Sequence, residues 1–154
     1  MSPVRRVDQA MALAAMDMLP ETVDRTLRTR YKQLPVMLHT AGLAATYAFV
    51  LSKKHGSREG PAYAKVAEGI RRHIGKHALI DRRTHWATDR DLLDALATAD
   101  RAAYARASAE ISSLAGWLSR LAEARFREDT ADTDTTPDSD ATADAVSPTG
   151  EGTA

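Results

Sequence analysis

Apolar residues recur at steps of three and four along most of the first 127 residues, which is the spacing of one face of an α-helix. No stretch shows the alternation of apolar and polar residues that is typical of a half-buried strand. The sequence therefore predicts an all-α protein, a compact bundle of five to seven helices. The predicted helices span residues 3–18, 21–32, 35–40, 43–51 and 61–74, a segment that begins at 88, and a long stripe that ends near 127.

The boundary between the second and third of these helices depends on Pro35. Proline has no backbone N–H, and its ring clashes with the carbonyl four residues earlier, here that of Tyr31, so a helix is expected to kink or restart there. Pro35 is accordingly predicted to be the first residue of a short helix. Gly42 follows that helix and suits the left-handed conformation that comes after a helix end.

The most apolar stretch, residues 43–51, contains one polar residue, Thr46. A helix that is apolar on every side belongs in the middle of a domain. Nine residues span about 14 Å as a helix, whereas a membrane span needs roughly 20 residues, so we expect a core helix and no membrane partner. The N-terminus lacks the apolar run of a secretory signal, and a cytoplasmic location is expected.

Charge divides the chain near residue 127. Residues 128–154 carry eight acidic residues and no Lys or Arg, whereas residues 1–127 carry 21 basic and 13 acidic residues. The acidic segment has one large apolar side chain, Val146, and cannot bury enough surface to offset its ordering entropy. We predict a helical domain over 1–127 and a disordered acidic tail over 128–154. The tail is either a solubilising appendage or a mimic of nucleic acid that competes for the basic domain.

The surplus of Arg and Lys in residues 1–127 suggests a polyanionic partner, which is RNA, DNA or an acidic protein surface. Arg suits such a partner because its planar guanidinium makes bidentate contacts to phosphate. The alternative is that an Arg-rich composition reflects genome base content. Charge clustering alone nominates these candidates for contact with nucleic acid: Arg28, Arg30, Lys54, Arg71, Arg72, Arg82 and Arg83.

Residues 76–88 fit neither a helix nor a strand pattern and are predicted to be a loop or an irregular short helix. Arg82 and Arg83 precede His85 and Trp86, a basic and aromatic grouping that is able to clamp and stack on a nucleic acid. In the alternative interpretation, Trp86 packs back onto the core. Thr88 and Asp91 have the spacing of a helix cap, so a helix is predicted to begin there.

No pattern in the chain indicates catalysis. The protein has no cysteine, and the four-residue spacing of His73 and His77 lacks the glutamate that metalloprotease helices place after the first histidine. The glycines match neither a phosphate-binding loop nor a dinucleotide fingerprint. We therefore predict a protein that is not an enzyme and has no metal and no cofactor.

Two blocks of residues resemble the small α-helical subunit of type III-B CRISPR effector complexes, the Cmr or RAMP-module RNA-silencing complexes. The first block, from Tyr31 to Lys53, is Tyr-Lys-x-Leu-Pro-x-Met-Leu-x-x-x-Gly-Leu-x-x-x-x-Ala-Phe-x-x-Ser-Lys. The second block is Tyr104-x-x-x-Ser108-x-Glu110 followed by Trp117-Leu118-x-Arg120-Leu121-Ala122-Glu123-Ala124. Together with Arg6, Asp8 and Ala10, the resemblance covers roughly residues 3–126.

The resemblance implies a non-catalytic structural subunit in antiviral defence. Subunits of this kind stack head to tail in a short filament beside the backbone subunits and contact RNA. The implied partners are RAMP-type backbone subunits, other effector subunits, further copies of the chain, guide RNA and target RNA. The basic positions of the family that match here are Lys32 and Lys53, which join the candidates for RNA contact. Reversing Lys53 and Lys54 to Glu is predicted to weaken RNA capture and to leave folding intact.

Trp117 lies just beside the long final stripe, and it is interpreted either as the edge of the core or as an anchor of a subunit interface. Two alternatives to the CRISPR function remain open at this point. One is a free-standing DNA-binding regulator, for which the Arg-rich helix over 61–74 is the candidate recognition helix. The other is a protein–protein scaffold with no nucleic-acid contact.

Overall fold

Six helices and no strand are present in the computed structural model, which describes residues 7–134, with side chains from 8 to 131. The helices are α1 (Val7–Met18), α2 (Arg25–Ala41), α3 (Leu43–Lys54), α4 (Gly60–Lys76), α5 (Asp89–Thr98) and α6 (Arg101–Asp134). The all-α prediction and the predicted number of helices are confirmed. The predicted cap at Ser2 and the greater part of the predicted acidic tail lie outside the described residues.

The long helix α6 is the central element of the bundle, and it runs antiparallel to α2. Its apolar stripe is buried from Ala103 to Ala122. Near its start, the Tyr104 hydroxyl accepts a hydrogen bond from the N–H of Ala44, in the first turn of α3 just after the end of α2. Near its other end, the Arg125 guanidinium donates to backbone carbonyls that precede α2. Helix α6 therefore joins both ends of the α2 layer.

The predicted break at Pro35 is wrong, because α2 continues through this residue without interruption. Proline in a helix interior costs about 3 kcal/mol. The residues around it, Tyr31, Leu34 and Leu38, are all buried in the core, and burial of such side chains contributes about 1.5–3 kcal/mol each. Tertiary packing thus outweighs the local preference. The helix begins at Arg25 because the Asp24 carboxylate accepts the N–H of Leu27 at 2.8 Å.

The junction between α2 and α3 has the geometry that the sequence predicts. Gly42 has a φ of +92°, a conformation that residues with a side chain rarely adopt. The helix that follows is interior, as predicted: Leu43, Tyr47 and Val50 are buried together with Thr46. No helix within residues 7–134 has the length and hydropathy needed to cross a membrane.

Helix α6 continues seven residues past the predicted end at Arg127. The reason is a long-range contact, since the Asp129 carboxylate accepts the backbone N–H of Val23 at 3.1 Å. The Arg125 guanidinium donates to the carbonyls of Pro20 at 3.3 Å and of Glu21 at 3.1 Å. These bonds hold the last turns of α6 against the connection between α1 and α2, so residues at the start of the acidic segment remain helical.

Two interior tyrosines make the fold sensitive to alkaline pH. Burial raises the pKa of Tyr31 and of Tyr47 above the ordinary value of 10.0, and for Tyr47 the hydrogen bond to Asp89 adds to the effect. Since the unfolded chain then releases these protons at lower pH than the folded chain, stability is complete below about pH 10 and declines above it. We expect the free energy of unfolding to fall by up to about 1.4 kcal/mol per pH unit for each such tyrosine.

Urea unfolding in steps from about pH 9 to about pH 11 measures this decline. Tyr31→Phe is the control, because the Tyr31 hydroxyl has no hydrogen-bond partner among the described residues. The variant should show a shallower decline than the wild type. If the free energy of unfolding fell equally steeply with pH in the two proteins, Tyr31 would not have the raised pKa that its burial predicts.

Candidate nucleic-acid interface

Asp89, the first residue of α5, gathers side chains from α3 and α4. Its carboxylate accepts hydrogen bonds from Lys54 Nζ at 2.5 Å, from Arg71 Nη1 at 2.9 Å and from the Tyr47 hydroxyl at 3.0 Å. We call these four residues the Asp89 cluster. The side chain of Asp89 is 19% exposed, so these bonds are largely shielded from solvent. Three helices meet at this one carboxylate.

The other residues of the Asp89 cluster lower the pKa of the Asp89 carboxyl group. Partial burial raises the pKa of the carboxyl group, but the hydrogen bonds from Lys54 and Tyr47 outweigh that effect, and the charges of Lys54 and Arg71 add to them. The net result is a pKa below the ordinary value of 3.8. Asp89 is therefore an anion at neutral pH.

The start of α5 fixes Asp89 in place. As the sequence predicts, Thr88 and Asp91 form a capping box: the Thr88 hydroxyl accepts from the N–H of Asp91 at 3.1 Å, and the Asp91 carboxylate accepts from the N–H of Thr88 at 3.2 Å. The predicted helix start is confirmed. Asp89 thus lies at the positive end of the helix dipole, which favours its negative charge.

Glu123 on α6 is the centre of a second group of cations. Its carboxylate lies 3.5 Å from Arg28 Nε, 3.2 Å from Lys32 Nζ and 3.1 Å from Arg127 Nε. We call these four residues the Glu123 cluster. The hydrogen bond from Lys32 is the largest of several effects that lower the pKa of Glu123. The guanidinium of Arg28 also lies 4.4 Å from the centre of the Phe126 ring, which orients it further.

The segment between α4 and α5 is a series of turns, and it includes positive φ angles at Ala78, Asp81 and Arg82. Trp86 is 2% exposed and belongs to the core. The interpretation in which Trp86 stacks on a nucleic acid is therefore wrong. The guanidinium of Arg83 lies 4.2 Å above its ring, whereas Arg82 is exposed to solvent.

The nine candidate cations thus fall into four groups. Lys54 and Arg71 meet at Asp89, and Arg28 and Lys32 meet at Glu123. Arg72 pairs with Glu68 at 2.6 Å, one helical turn away. The candidates that form no ion pair with any residue in the described part of the chain are Arg30, Lys53, Arg82 and Arg83.

A model of the family described as CRISPR-associated protein (Cas_Cmr5) matches residues 5–125. The chain belongs to the Cas_Cmr5 family. Membership makes it a small subunit of the type III-B CRISPR Cmr complex, which associates with the other subunits of that complex. Cas_Cmr5 proteins are structural small subunits with no known catalytic role. Comparison with curated proteins and with solved structures gives no significant match.

The Cas_Cmr5 match contains every candidate cation and Trp117, and it ends before the acidic tail. Trp117 is half-buried on α6 and packs against the edge of the core. The guanidinium of Arg120 lies 5.9 Å from the centre of its ring. A role for Trp117 in a subunit interface stays a prediction.

Two further polar residues of this Cas_Cmr5 chain are Lys76, which sequence reasoning missed, and His85, which it grouped with Arg82, Arg83 and Trp86. Together with Arg71, Arg72 and Trp86 they line a cleft of about 380 Å³ between α4 and the turns that precede α5. Lys76 was detectable in the sequence, because it follows Arg72 by four residues and shares its helix face. The sequence grouped His85 with Trp86, but its position at the cleft depends on how the turns pack.

His73 on α4 and His77, which directly follows this helix, have structural partners. His73 is 6% exposed, and its Nε2 lies 2.9 Å from the Glu110 carboxylate on α6. Its ring is also in contact with that of His77. In the part of the chain with described side chains, no three His, Asp or Glu residues lie close enough together to hold a metal ion.

Proposed function

We propose that this chain is a non-catalytic filament subunit of the Cmr complex. In this proposal, copies of the chain stack beside RAMP-type backbone subunits and contact guide RNA and target RNA through a basic surface. The observation that carries the proposal is that cations outnumber carboxylates in both clusters. Three cations share Glu123, and two cations share Asp89. Each cluster therefore keeps an excess positive charge.

The carboxylates in these clusters do more than offset charge, because they hold the cations in fixed positions. Arg71 uses one nitrogen on Asp89, and a guanidinium has five N–H donors, so other donors remain available to a phosphate. A side chain that is already ordered loses less conformational entropy when it binds. Pre-positioned cations of this kind favour contact with the RNA backbone.

Phosphate contacts of this kind suit a subunit that must accept any guide sequence. Contacts to phosphate position a nucleic acid and carry no sequence information directly. Repetition along a filament also raises the effective concentration of each contact, so a single copy needs only weak affinity.

The free-standing DNA-binding regulator loses its support, because Cas_Cmr5 membership places the chain in a multi-subunit complex.

Lys54 forms an ion pair with Asp89, so a change of its charge affects the fold as well as RNA contact. Lys54→Glu would place a second carboxylate against Asp89. We therefore expect reversal of Lys53 and Lys54 to destabilise the fold, in contrast to the prediction from the sequence. Lys53 and Arg82 form no ion pair with other described residues and are better targets. We expect Lys53→Glu combined with Arg82→Glu to lower RNA capture by the assembled complex at least tenfold, or about 1.4 kcal/mol.

The matched control is Arg101→Glu combined with Arg106→Glu, which makes the same change of charge at two exposed positions on α6. Capture is measured as the fraction of labelled target RNA retained by complexes of equal subunit content, at several salt concentrations. Equal capture by both double variants would favour the scaffold without nucleic-acid contact. Loss of the subunit from the complex would point to a packing role for Lys53 or Arg82.

A further inference from the structure

The cleft between α4 and the turns before α5 is built by close backbone packing. A Cβ atom placed on Gly75 would lie 2.5 Å from the carbonyl oxygen of Thr84, so glycine is needed for the turns to approach the helix this closely. This approach brings His85 and Trp86 next to Arg72 and Lys76 and leaves a cleft of about 380 Å³. Side chains from two separate segments therefore converge on one space.

The cleft is rich in hydrogen-bond donors and carries excess positive charge. Arg71, Arg72 and Lys76 line it, and Glu68 is the one acidic residue among its lining side chains. Arg71 and Arg72 each use one nitrogen on a carboxylate and retain further N–H donors. Lys76 forms no ion pair with any residue in the described range. An anion in the cleft would find several unused donors.

The indole of Trp86 forms a fixed wall of the cleft. Trp86 lines the cleft and is buried, yet its Nε1–H has no hydrogen-bond acceptor among the described residues. A buried donor without an acceptor is unfavourable, and such groups are uncommon in folded proteins. The guanidinium of Arg83 lies above the ring and holds it in place. The Nε1 atom is itself shielded from solvent, so the indole acts as a wall of the cleft and not as a donor to a ligand inside it.

We propose that this cleft is a binding site for a backbone phosphate of RNA. Arg71, Arg72 and Lys76 provide charge-assisted hydrogen bonds to the phosphate, and Trp86 forms the wall against which it lies. A phosphate fits this set better than a carboxylate does, because its oxygens accept bonds from several directions. The inference rests on the proposed function and narrows it, since it assigns a phosphate contact to one defined cleft.

The cleft also explains how the contact would avoid reading sequence. The ring of Trp86 is buried beneath Arg83, so it offers no free face on which a base stacks. Three of the four charged side chains that line the cleft are cations suited to phosphate oxygens, and phosphate contacts do not distinguish bases.

The test uses the two tryptophans of the full-length chain as reporters. Each gives one indole N–H signal in a ¹H–¹⁵N spectrum. We expect the Trp86 signal to shift saturably when an oligouridylate RNA is added, and also when inorganic phosphate is added, while the Trp117 signal stays in place. Sodium chloride at matched ionic strength should leave both signals unchanged.

Variants in the cleft should weaken binding of the same RNA. Lys76→Gln is expected to weaken it about tenfold and to lower the slope of log affinity against log salt by about 0.7. Lys65→Gln is the matched control, because it removes the same charge from an exposed position of α4 that does not line this cleft.

The outcomes separate this inference from the proposed function. A Trp86 shift with phosphate but not with RNA would overturn the RNA assignment, and no shift with either would overturn the site. In the assembled complex, normal RNA capture by Lys76→Gln together with weak capture by Lys53→Glu and Arg82→Glu would reject the cleft and leave the proposed function standing. Normal capture by all of these variants would reject both.

Discussion

Substitution of Trp86 by alanine is expected to lower the free energy of unfolding by about 3–5 kcal/mol, the largest effect that the structure predicts for one residue. Trp86 is among the largest fully buried side chains of the chain. It lies in a segment without regular secondary structure, which Leu79 and Ile80 also hold to the core. Removal of the indole would leave a cavity and release the turns that carry Arg82 and Arg83.

Urea unfolding followed by circular dichroism measures this loss. Trp117→Ala is the control. Because Trp117 is half-buried on helix α6, its substitution should lower the free energy of unfolding less than Trp86→Ala does. Trp86→Phe is expected to lie between the wild type and Trp86→Ala, because it keeps a ring and its lost Nε1–H has no acceptor among residues 8–131. Equal losses for the two alanine variants would show that Trp86 does not hold the segment to the core.

Replacement of Asp89 by alanine is expected to lower the free energy of unfolding by about 2–3 kcal/mol. The change leaves Lys54 and Arg71 facing each other without a shared anion, and it deprives the Tyr47 hydroxyl of its acceptor. The effect lies below the 3–5 kcal/mol typical of fully buried ion pairs, because Lys54 and Arg71 remain 26% and 32% exposed to screening by solvent. Asp94→Ala, at an exposed position on the same helix, should change stability little.

The same contact predicts a dependence on acidic pH. The pKa of Asp89 is lower in the folded chain than its ordinary value of 3.8, so the folded state binds this proton less readily than the unfolded state. The stabilisation is therefore complete above about pH 5 and is lost as the pH falls through the folded pKa. Urea unfolding between about pH 7 and about pH 3 should show a steeper loss in the wild type than in Asp89→Ala. Parallel profiles would contradict this account.

The sequence by itself determined the helices, because their signals are local. The spacing of apolar residues, the capping box of Thr88 and Asp91, and the positive φ of Gly42 each depend on neighbours within a few residues. The blocks around Tyr31–Lys53 and Tyr104–Ala124 also identified the family, since they mark helix landmarks in a fixed order. Net charge likewise follows from composition alone.

Only the tertiary structure determined where some of these helices continue or end, because long-range packing decides it. Pro35 stays inside α2 because the side chains around it are buried by partners far along the chain. Helix α6 extends to Asp134 in part because Asp129 meets Val23, which is 106 residues away in sequence.

The candidate site was predictable as a set of cations but not as an arrangement. Lys54 and Arg71 lie 35 and 18 residues from Asp89 in sequence, and no periodicity predicts that they meet. The same limit applies to the cleft, where the packing of Thr84 on Gly75 places Trp86 beside Lys76. Periodicity reports which face of a helix is apolar, whereas ion pairs and clefts between segments form only when those faces have packed.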